Sequence, residues 1–200
     1  MTPDKCSITQ LPKIVLASGS PRRSEILNSV GWSFEKFSAD VDESEFEGET
    51  PEVYVQRLAR MKAEKVAEKF PDEYVLGADT TVVIDNKIIG KPADLTEARR
   101  MIEMLSGNWH EVLTGVALLR NRRSVVGLRS TRVKFSDLTT DEIGLLVEKG
   151  EPLDKAGAYA VQAQAALFIE KIEGDYWNVV GLPINLVYEL FKTHFKNQKE

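Results

Sequence analysis

The stretch of this 200-residue chain that most constrains its fold is an apolar run that ends in a loop of small and basic residues. Ile14, Val15 and Leu16 form a continuous apolar run, which is the pattern of a strand buried on both faces, as in a parallel sheet. Residues 18–23, with the sequence SGSPRR, follow, and Pro21 is favoured at the first position of a helix. A strand of this kind that leads into a helix predicts an α/β fold.

The loop at residues 18–23 has the features of an anion site. Ser20 is predicted to cap the helix, whose first N–H groups and dipole attract phosphate. Arg22 and Arg23 add planar guanidinium groups that match phosphate oxygens. Because consecutive helical residues point about 100° apart, the two arginines should have different roles. A plain helix start with two solvated arginines fits the same residues, so this stretch alone leaves both interpretations open.

Composition narrows the functional classes. A formal net charge of -5 argues against a general nucleic-acid binder, which needs a broad basic surface. The single cysteine, Cys6, excludes an internal disulfide, and with two histidines there is no Cys/His zinc pattern. Any metal should be magnesium or manganese, held by carboxylates and substrate phosphates. No segment approaches the roughly 20 apolar residues of a membrane span, so we expect a cytoplasmic protein without a membrane partner.

The order of predicted elements suggests one α/β domain over residues 1–200, or two closely merged lobes, because no linker or repeat interrupts the chain. The tails, residues 1–12 and 196–200, are expected to be frayed. Strands are predicted at residues 14–16, 32–34, 74–84, 88–89, 109–119, 125–135 and 166–169, and helices start at Pro21, after Thr50, at Thr96, after Thr139 and after Pro183.

Two charged positions around the second helix have alternative interpretations. The acidic run at residues 40–45, which contains Glu43, fits a solvated loop better than a metal site when it is taken by itself. Lys62 lies on the apolar face of the helix that follows Thr50. Its stem either extends to the surface or carries the ammonium group into a site with a compensating negative charge.

Asp79 stands inside the predicted strand at residues 74–84, where an ionised carboxylate needs a cation or several donors. Backbone N–H groups at a bulge are the structural alternative. Gly77 and Ala78 favour the functional interpretation, because small residues leave space beside the carboxylate for a ligand.

Two later stretches offer further polar groups. Lys91 is held extended by the proline that follows it and can point at phosphates, although a surface lysine is the usual outcome. Residues 151–162 are rich in small residues and contain Lys155 and Gln162. Glutamine can read a base edge through its donor and its acceptor, and a surface amide is the alternative. The basic turn at residues 121–124 is interpreted as a solvated hairpin tip.

Five motifs follow one another along the chain: LASGSPRR at 16–23, GADT at 77–80, GKP at 90–92, DKAGAY at 154–159, and GDY at 174–176 followed by VGLP at 180–183. In this order, and over roughly residues 13–191, they resemble the motifs of the Maf family of nucleoside triphosphate pyrophosphatases. The resemblance implies an α/β fold with an elongated mixed β-sheet, flanked by helices around a central cleft, related to inosine triphosphate pyrophosphatases and often homodimeric. It also implies metal-dependent hydrolysis of a nucleoside triphosphate to the monophosphate and pyrophosphate, with magnesium or manganese as cofactor.

Within the family the pattern is similar to the dTTP/UTP branch, which is marked by Arg22, Thr80 and Gln162. The branch that acts on 7-methyl-GTP typically has another residue, often tryptophan, at the position of Arg22. Ala160 and Val161 depart from the Gly-Ile that relatives usually have before the glutamine, which affects only the local fit of the base pocket.

The resemblance and the charges together predict a site. Asp79 is expected to act as general base toward a water that attacks the α-phosphorus, and Glu43 is expected to assist in metal binding. The predicted catalytic residues are Asp79, Lys62, Lys91 and Glu43, the predicted metal ligands are Glu43 and Asp79, and the predicted substrate-binding residues are Ser18, Arg22, Arg23, Thr80, Lys155 and Gln162. Asp79 as chiefly a metal ligand remains open. So do two other functions, a house-cleaning pyrophosphatase for modified or purine nucleotides and a nucleotide-binding regulator of cell division.

Overall fold

The computed structural model describes residues 11–121 and 123–196. Most of the predicted frayed tails, Cys6 and Arg122 of the basic turn lie outside these ranges. In chain order the elements are β1 (Ile14–Ala17), α1 (Pro21–Ser29), β2 (Phe34–Lys36), α2 (Pro51–Ala67), β3 (Tyr74–Ile84), β4 (Lys87–Ile89), α3 (Leu95–Leu105), β5 (Trp109–Arg120), β6 (Arg123–Phe135), α4 (Thr140–Lys149), β7 (Ile169–Glu173), α5 (Tyr176–Val180) and α6 (Ile184–Lys196). Short 3-10 turns lie at Pro152–Asp154, Ala156–Ala158 and Gln164–Leu167.

The strands form one mixed sheet in the order β2-β1-β3-β5-β6-β7, with β4 paired to β3. β1 is parallel to both β2 and β3, whereas the remaining pairs are antiparallel. Every residue of β1 is buried, as its unbroken apolar run predicts for a strand in the parallel part of a sheet. The mixed sheet with flanking helices confirms the predicted α/β fold. In the described ranges no helix is both long and apolar enough to cross a membrane.

Helix α2 lies directly on one face of the sheet because two glycines remove the side chains that would separate them. A Cβ at Gly77 would lie 2.1 Å from the carbonyl oxygen of Ala59, and one at Gly115 would lie 2.3 Å from that of Val55. The interpretation that Gly77 and Ala78 leave space for a ligand is therefore wrong. Helix α2 fills the space at Gly77, and Ala78 is buried on the opposite face in the larger apolar core.

Local signals predicted most element boundaries, with identifiable exceptions. Thr50 accepts a hydrogen bond from the Val53 N–H, and Thr139 forms the predicted capping box at the start of α4. Helix α3 starts at Leu95 rather than Thr96, because the carboxylate of Asp94 caps it through the Glu97 N–H at 2.8 Å.

Two predictions near the ends of elements are wrong. The apolar pattern of the first helix predicts that Val30 faces the core together with Ile26 and Leu27, but Val30 follows the end of α1 and is exposed. The strand predicted at residues 166–169 is wrong, because Ala166 and Leu167 belong to the 3-10 turn that starts at Gln164, and β7 begins only at Ile169. The short helix α5 has no strong periodicity and was not predicted; Asp175 caps it by accepting from the Trp177 N–H.

Candidate active site

A cavity of about 620 Å³ lies where one edge of β3 has no neighbouring strand. β1 pairs with β3 as far as Gly77, and β4 pairs with it from Val82 onward. Between them, residues 78–81 of β3 have no neighbouring strand on that edge within the described residues, which leaves a gap in the sheet. The SGSPRR loop leaves β1 at this gap, and in α/β sheets such openings beyond the carboxyl ends of parallel strands are the usual binding positions.

All ten residues predicted for the site line this single cavity. They are contributed by six separate segments of the chain: Ser18, Arg22, Arg23, Glu43, Lys62, Asp79, Thr80, Lys91, Lys155 and Gln162. Sequence reasoning thus selected side chains that the fold brings together, while their individual roles stay predictions.

Lys62 joins two carboxylates in the cavity. Its Nζ lies 2.6 Å from Asp79 Oδ1 and 2.6 Å from Glu43 Oε1. The side chains of Lys62 and Asp79 are 11% and 10% exposed, whereas that of Glu43 is 49% exposed. Lys62 therefore reaches a site with compensating negative charge instead of the surface. The bulge alternative for Asp79 is wrong, because β3 keeps an unbroken register with β5 through the Asp79–Gly115 pair.

The two carboxylates differ in acidity because they differ in burial. Burial raises the pKa of Asp79, and the nearby charge of Lys62 offsets only part of that effect. Burial also acts on Glu43, but the hydrogen bond and charge of Lys62, together with the charge of Lys91, hold the pKa of Glu43 below its usual value. Asp79 is therefore the stronger base of the pair, and Glu43 is the carboxylate that stays ionised.

The loop that carries Glu43 is tied to α2. The hydroxyl of Tyr54 donates to the Glu43 carbonyl oxygen at 2.9 Å, and burial raises the pKa of Tyr54 to about 12, so this donor keeps its proton. Arg57 holds Glu49 through two hydrogen bonds of 2.6 Å and donates to the Ser44 carbonyl oxygen. Sequence reasoning missed both residues, although Tyr54 and Arg57 lie one turn apart on the predicted helix.

Arg23 is buried on the other side of β3. Its Nη1 donates to Ser18 Oγ at 2.9 Å, its Nη2 donates to Thr80 Oγ1 at 3.2 Å, and its Nε donates to the Gly181 carbonyl oxygen at 2.8 Å. Among the described residues no carboxylate lies within ion-pair distance of this guanidinium, and burial lowers its pKa. Since a buried cation favours a nearby anion, Arg23 is suited to a negatively charged ligand, as the sequence predicts. The Thr80 hydroxyl also contacts Thr114 Oγ1 at 2.9 Å.

The prediction that the Ser20 side chain caps α1 is wrong. Ser20 occupies the position before α1, but its side chain makes no capping bond; its N–H donates to Ser18 Oγ at 3.2 Å. Ser18 Oγ thus accepts from both Ser20 and Arg23, which leaves its own O–H free to donate to a ligand oxygen.

Arg22 points away from Arg23, as their helical spacing predicts. Its Nη1 lies 2.9 Å from Asp154 Oδ2, and its Nη2 donates to the Asp154 carbonyl oxygen at 3.2 Å. Lys155 Nζ donates to Asp154 Oδ1 at 2.6 Å and to the Glu151 carbonyl oxygen. Sequence reasoning gave Asp154 no role, although its place beside a predicted substrate-binding lysine was a usable signal.

Lys91 and Gln162 complete the lining. Both are exposed, and within residues 11–121 and 123–196 neither side chain has a hydrogen-bonding or ion-pair partner. Their polar groups are therefore available to a ligand, in contrast to those of Arg22 and Lys155.

The carboxylates of the cavity fit a metal ion that is shared with a substrate. No group of three or more His, Cys, Asp or Glu side chains in the described ranges is arranged to hold a metal. Glu43 and Asp79 are two carboxylates close to one another, since both contact Lys62. Mg²⁺ is commonly held by one or two carboxylates, with phosphate oxygens and water as the other ligands. The donor set therefore suits a metal ion that binds with a nucleotide.

Comparison with known proteins identifies the family. Residues 13–194 match the family described as Maf-like protein. A dTTP/UTP pyrophosphatase of Koribacter versatilis is 48% identical over 179 residues, which cover 90% of this chain and 93% of the relative. One of Geobacillus sp. is 48% identical over 175 residues, covering 88% and 94%.

The fold has a counterpart among solved structures. The Ham1 protein of Staphylococcus aureus matches 91% of this chain and 99% of its own, with a TM-score of 0.53 and 15% identity, which is a likeness of fold. The family match covers all ten predicted site residues. Motifs, fold and relatives thus agree, and the chain belongs to the Maf-like protein family.

Proposed function

We propose that this chain is a nucleoside triphosphate pyrophosphatase that hydrolyses dTTP and UTP to the monophosphate and pyrophosphate. The observation that carries the proposal is the buried carboxylate of Asp79, held 2.6 Å from Lys62 at one side of a cavity lined by further cations. The names of relatives that are 48% identical over most of the chain support the same substrates.

In the proposed reaction, Asp79 accepts a proton from a water molecule as the water oxygen attacks the α-phosphorus. The new P–O bond forms while the bond from the α-phosphorus to the bridging oxygen breaks, and the electron pair leaves with pyrophosphate. The raised pKa of Asp79 suits this role, because a base is most effective when its pKa approaches the working pH. Lys62 orients the carboxylate by its short hydrogen bond.

Cations on the other walls of the cavity hold the phosphate groups. Arg23 lacks a contacting carboxylate among the described residues, and Lys91 is exposed to the cavity, so both are suited to phosphate oxygens. The free O–H of Ser18 donates to another phosphate oxygen. A magnesium or manganese ion, when bound, would be held by Glu43 and Asp79 and would neutralise charge that develops on the phosphates.

Selection of the pyrimidine is assigned to Gln162 and Thr80, with Arg22 as the third residue of the branch pattern. The unpartnered amide of Gln162 offers both a donor and an acceptor to a base edge. Thr80 acts mainly through position, because its hydroxyl already contacts Thr114 and Arg23.

The test is release of pyrophosphate from dTTP, UTP, CTP, GTP and 7-methyl-GTP, with and without magnesium or manganese. Wild type should be active on dTTP and UTP only with metal. Asp79→Asn should lower turnover by about 10²- to 10⁴-fold, as expected for loss of a general base, while nucleotide binding persists. Glu111→Gln is the matched control, since it changes an exposed carboxylate to an amide on the adjacent strand β5.

Each contrary outcome has a defined meaning. Near-normal turnover by Asp79→Asn would contradict its role as base. A preference for GTP or another purine nucleotide would support the house-cleaning alternative and overturn the assigned branch. Nucleotide binding without turnover across the panel would support a regulator of cell division. Homodimer formation and a cytoplasmic location stay predictions, and sedimentation of the wild-type protein tests the first of these.

A further inference from the structure

Asp154 links two parts of the cavity wall that are far apart in sequence. Its carboxylate receives hydrogen bonds from Arg22 on α1 and from Lys155 beside it, at 2.9 and 2.6 Å. Its carbonyl oxygen accepts a further bond from Arg22 at 3.2 Å. Burial opposes ionisation of Asp154, but the hydrogen bonds from Lys155 and Arg22 outweigh it and keep the pKa of Asp154 below its usual value.

This arrangement changes what Arg22 and Lys155 are suited to bind. Each shares the negative charge of Asp154, so neither is an uncompensated cation of the kind that a triphosphate attracts most strongly. Arg23 and Lys91 are the contrasting cases, since no carboxylate within the described part of the chain contacts either. The phosphate-binding charge of the cavity is therefore concentrated away from Asp154.

Arg22 keeps N–H groups that Asp154 does not use. A guanidinium has five N–H donors and no acceptor, and the two bonds to Asp154 occupy two of them. The Arg22 side chain is only 21% exposed, lines the cavity and is held at both terminal nitrogens, so its remaining donors point in defined directions. A charge-compensated donor of this kind suits a neutral acceptor, such as the carbonyl oxygen of a pyrimidine.

We propose that Asp154 is a positioning residue that removes Arg22 and Lys155 from phosphate binding and fixes Arg22 as a donor to a carbonyl oxygen of the nucleobase. The inference rests on the proposed function, because it takes dTTP and UTP as the substrates. It assigns to Asp154 the preference for pyrimidines with a 4-carbonyl group over cytosine, in which an amino group replaces that carbonyl.

The decisive variant is Asp154→Asn, which keeps the shape of the side chain and removes its charge. The ratio of kcat/KM for UTP to that for CTP should fall by about 10-fold, because Arg22 loses its carboxylate partner and keeps only the bond to the backbone carbonyl oxygen of residue 154. Inorganic tripolyphosphate should bind about 10-fold more tightly, since the positive charges of Arg22 and Lys155 are no longer compensated. The side chain of Asp154 is 58% exposed, so the variant should fold as wild type does.

Two comparisons separate positioning from a general effect of charge. Glu151→Gln removes an exposed carboxylate from the same segment. Lys155 contacts the backbone carbonyl oxygen of Glu151 and not its carboxylate, so both readouts should stay at wild-type values. In an Arg22→Ala background, Asp154→Asn should leave the UTP/CTP ratio unchanged, because the residue through which Asp154 acts is absent.

The outcomes distinguish this inference from the proposed function. An unchanged UTP/CTP ratio in an active Asp154→Asn variant would overturn the inference alone, as would an equal change in Glu151→Gln. Wild-type protein that hydrolyses no triphosphate would overturn the proposed function. Even then, tripolyphosphate binding tests whether Asp154 compensates the charges of Arg22 and Lys155. An unchanged affinity of Asp154→Asn for tripolyphosphate would contradict that compensation.

Discussion

Replacement of Lys62 by methionine is the most informative perturbation of the site, because it removes the ammonium group and keeps most of the apolar stem. The change leaves Asp79 buried without its 2.6 Å partner. We expect Lys62→Met to lower the free energy of unfolding and to abolish most of the proposed activity. The stability effect is independent of any assumption about the substrate.

Burial sets the size of the effect. Removal of one partner from a buried ion pair typically costs about 3–5 kcal/mol, because the remaining charge is left uncompensated. Asp79 relieves part of this cost by binding a proton, and half-exposed Glu43 adds little because water solvates it. We therefore expect a loss of about 3 kcal/mol, which lowers the Tm of a chain of this size by roughly 6–12 °C.

The loss should depend on pH in one direction. Lys62 lowers the pKa of Asp79, so Lys62→Met raises it further above its value in the unfolded chain. A carboxyl group whose folded pKa lies above the unfolded value of about 3.9 destabilises the folded state as pH rises between the two values. The difference between wild type and Lys62→Met should therefore be small near pH 4 and reach its full size above the raised pKa.

Urea unfolding, followed by tryptophan fluorescence between pH 4 and pH 8, measures the effect. Adding Asp79→Asn to Lys62→Met should recover more than half of the lost stability, because the amide needs no counterion. Glu43→Gln is the control, with an expected change below about 1 kcal/mol. Equal unfolding midpoints for wild type and Lys62→Met at pH 8 would refute the reasoning, and so would a double variant no more stable than the single one.

Two further predictions concern the elements that support the site. His110 is buried, and its Nε2 lies 2.8 Å from the Tyr159 hydroxyl. Burial lowers the pKa of His110 from 6.5 to about 4, so the folded state should lose about 3 kcal/mol of stability as pH falls from 6.5 toward 4. His110→Gln should remove this part of the pH dependence in urea unfolding, and identical pH profiles would contradict the interpretation. Gly115→Ala places a Cβ 2.3 Å from the Val55 carbonyl oxygen and should destabilise by about 1–3 kcal/mol in thermal unfolding. Gly144→Ala in α4, which meets only ordinary contacts, should be neutral or slightly stabilising, and equal effects of the two changes would refute the argument from close approach.

Local signals in the sequence explain why much of the fold was predictable. The caps at Thr50 and Thr139 depend on hydrogen bonds to N–H groups three residues later, and the buried strand β1 depends on its own apolar run. The errors arose where the local signal was ambiguous. Thr96 and Asp94 are both acceptable capping residues, and only the observed bond to Glu97 separates them.

The residue patterns and the family resemblance together selected all ten site residues, but they did not predict which of them contact each other. Pattern alone left Lys62 between surface and site and left Asp79 between a ligand and a bulge. The approach of α2 to the sheet, which the absence of a side chain at Gly77 and Gly115 permits, decided the first alternative. The unbroken pairing of β3 with β5 at Asp79 decided the second. The space at Gly77 was misjudged for the same reason, since sequence reasoning does not include the helix that occupies it.

The sequence by itself determined the family, the α/β class, the caps at Thr50 and Thr139 and the residue types of the cavity, because these follow from motifs and from patterns within a few residues. Tertiary structure alone decided the pairing of charges. Arg22 meets Asp154 across a separation of 132 residues, and Lys62 meets Asp79 only because β3 lies beneath α2. Both contacts depend on the register of the sheet and on helix packing, and these are properties of the whole chain, set by long-range burial of apolar surface.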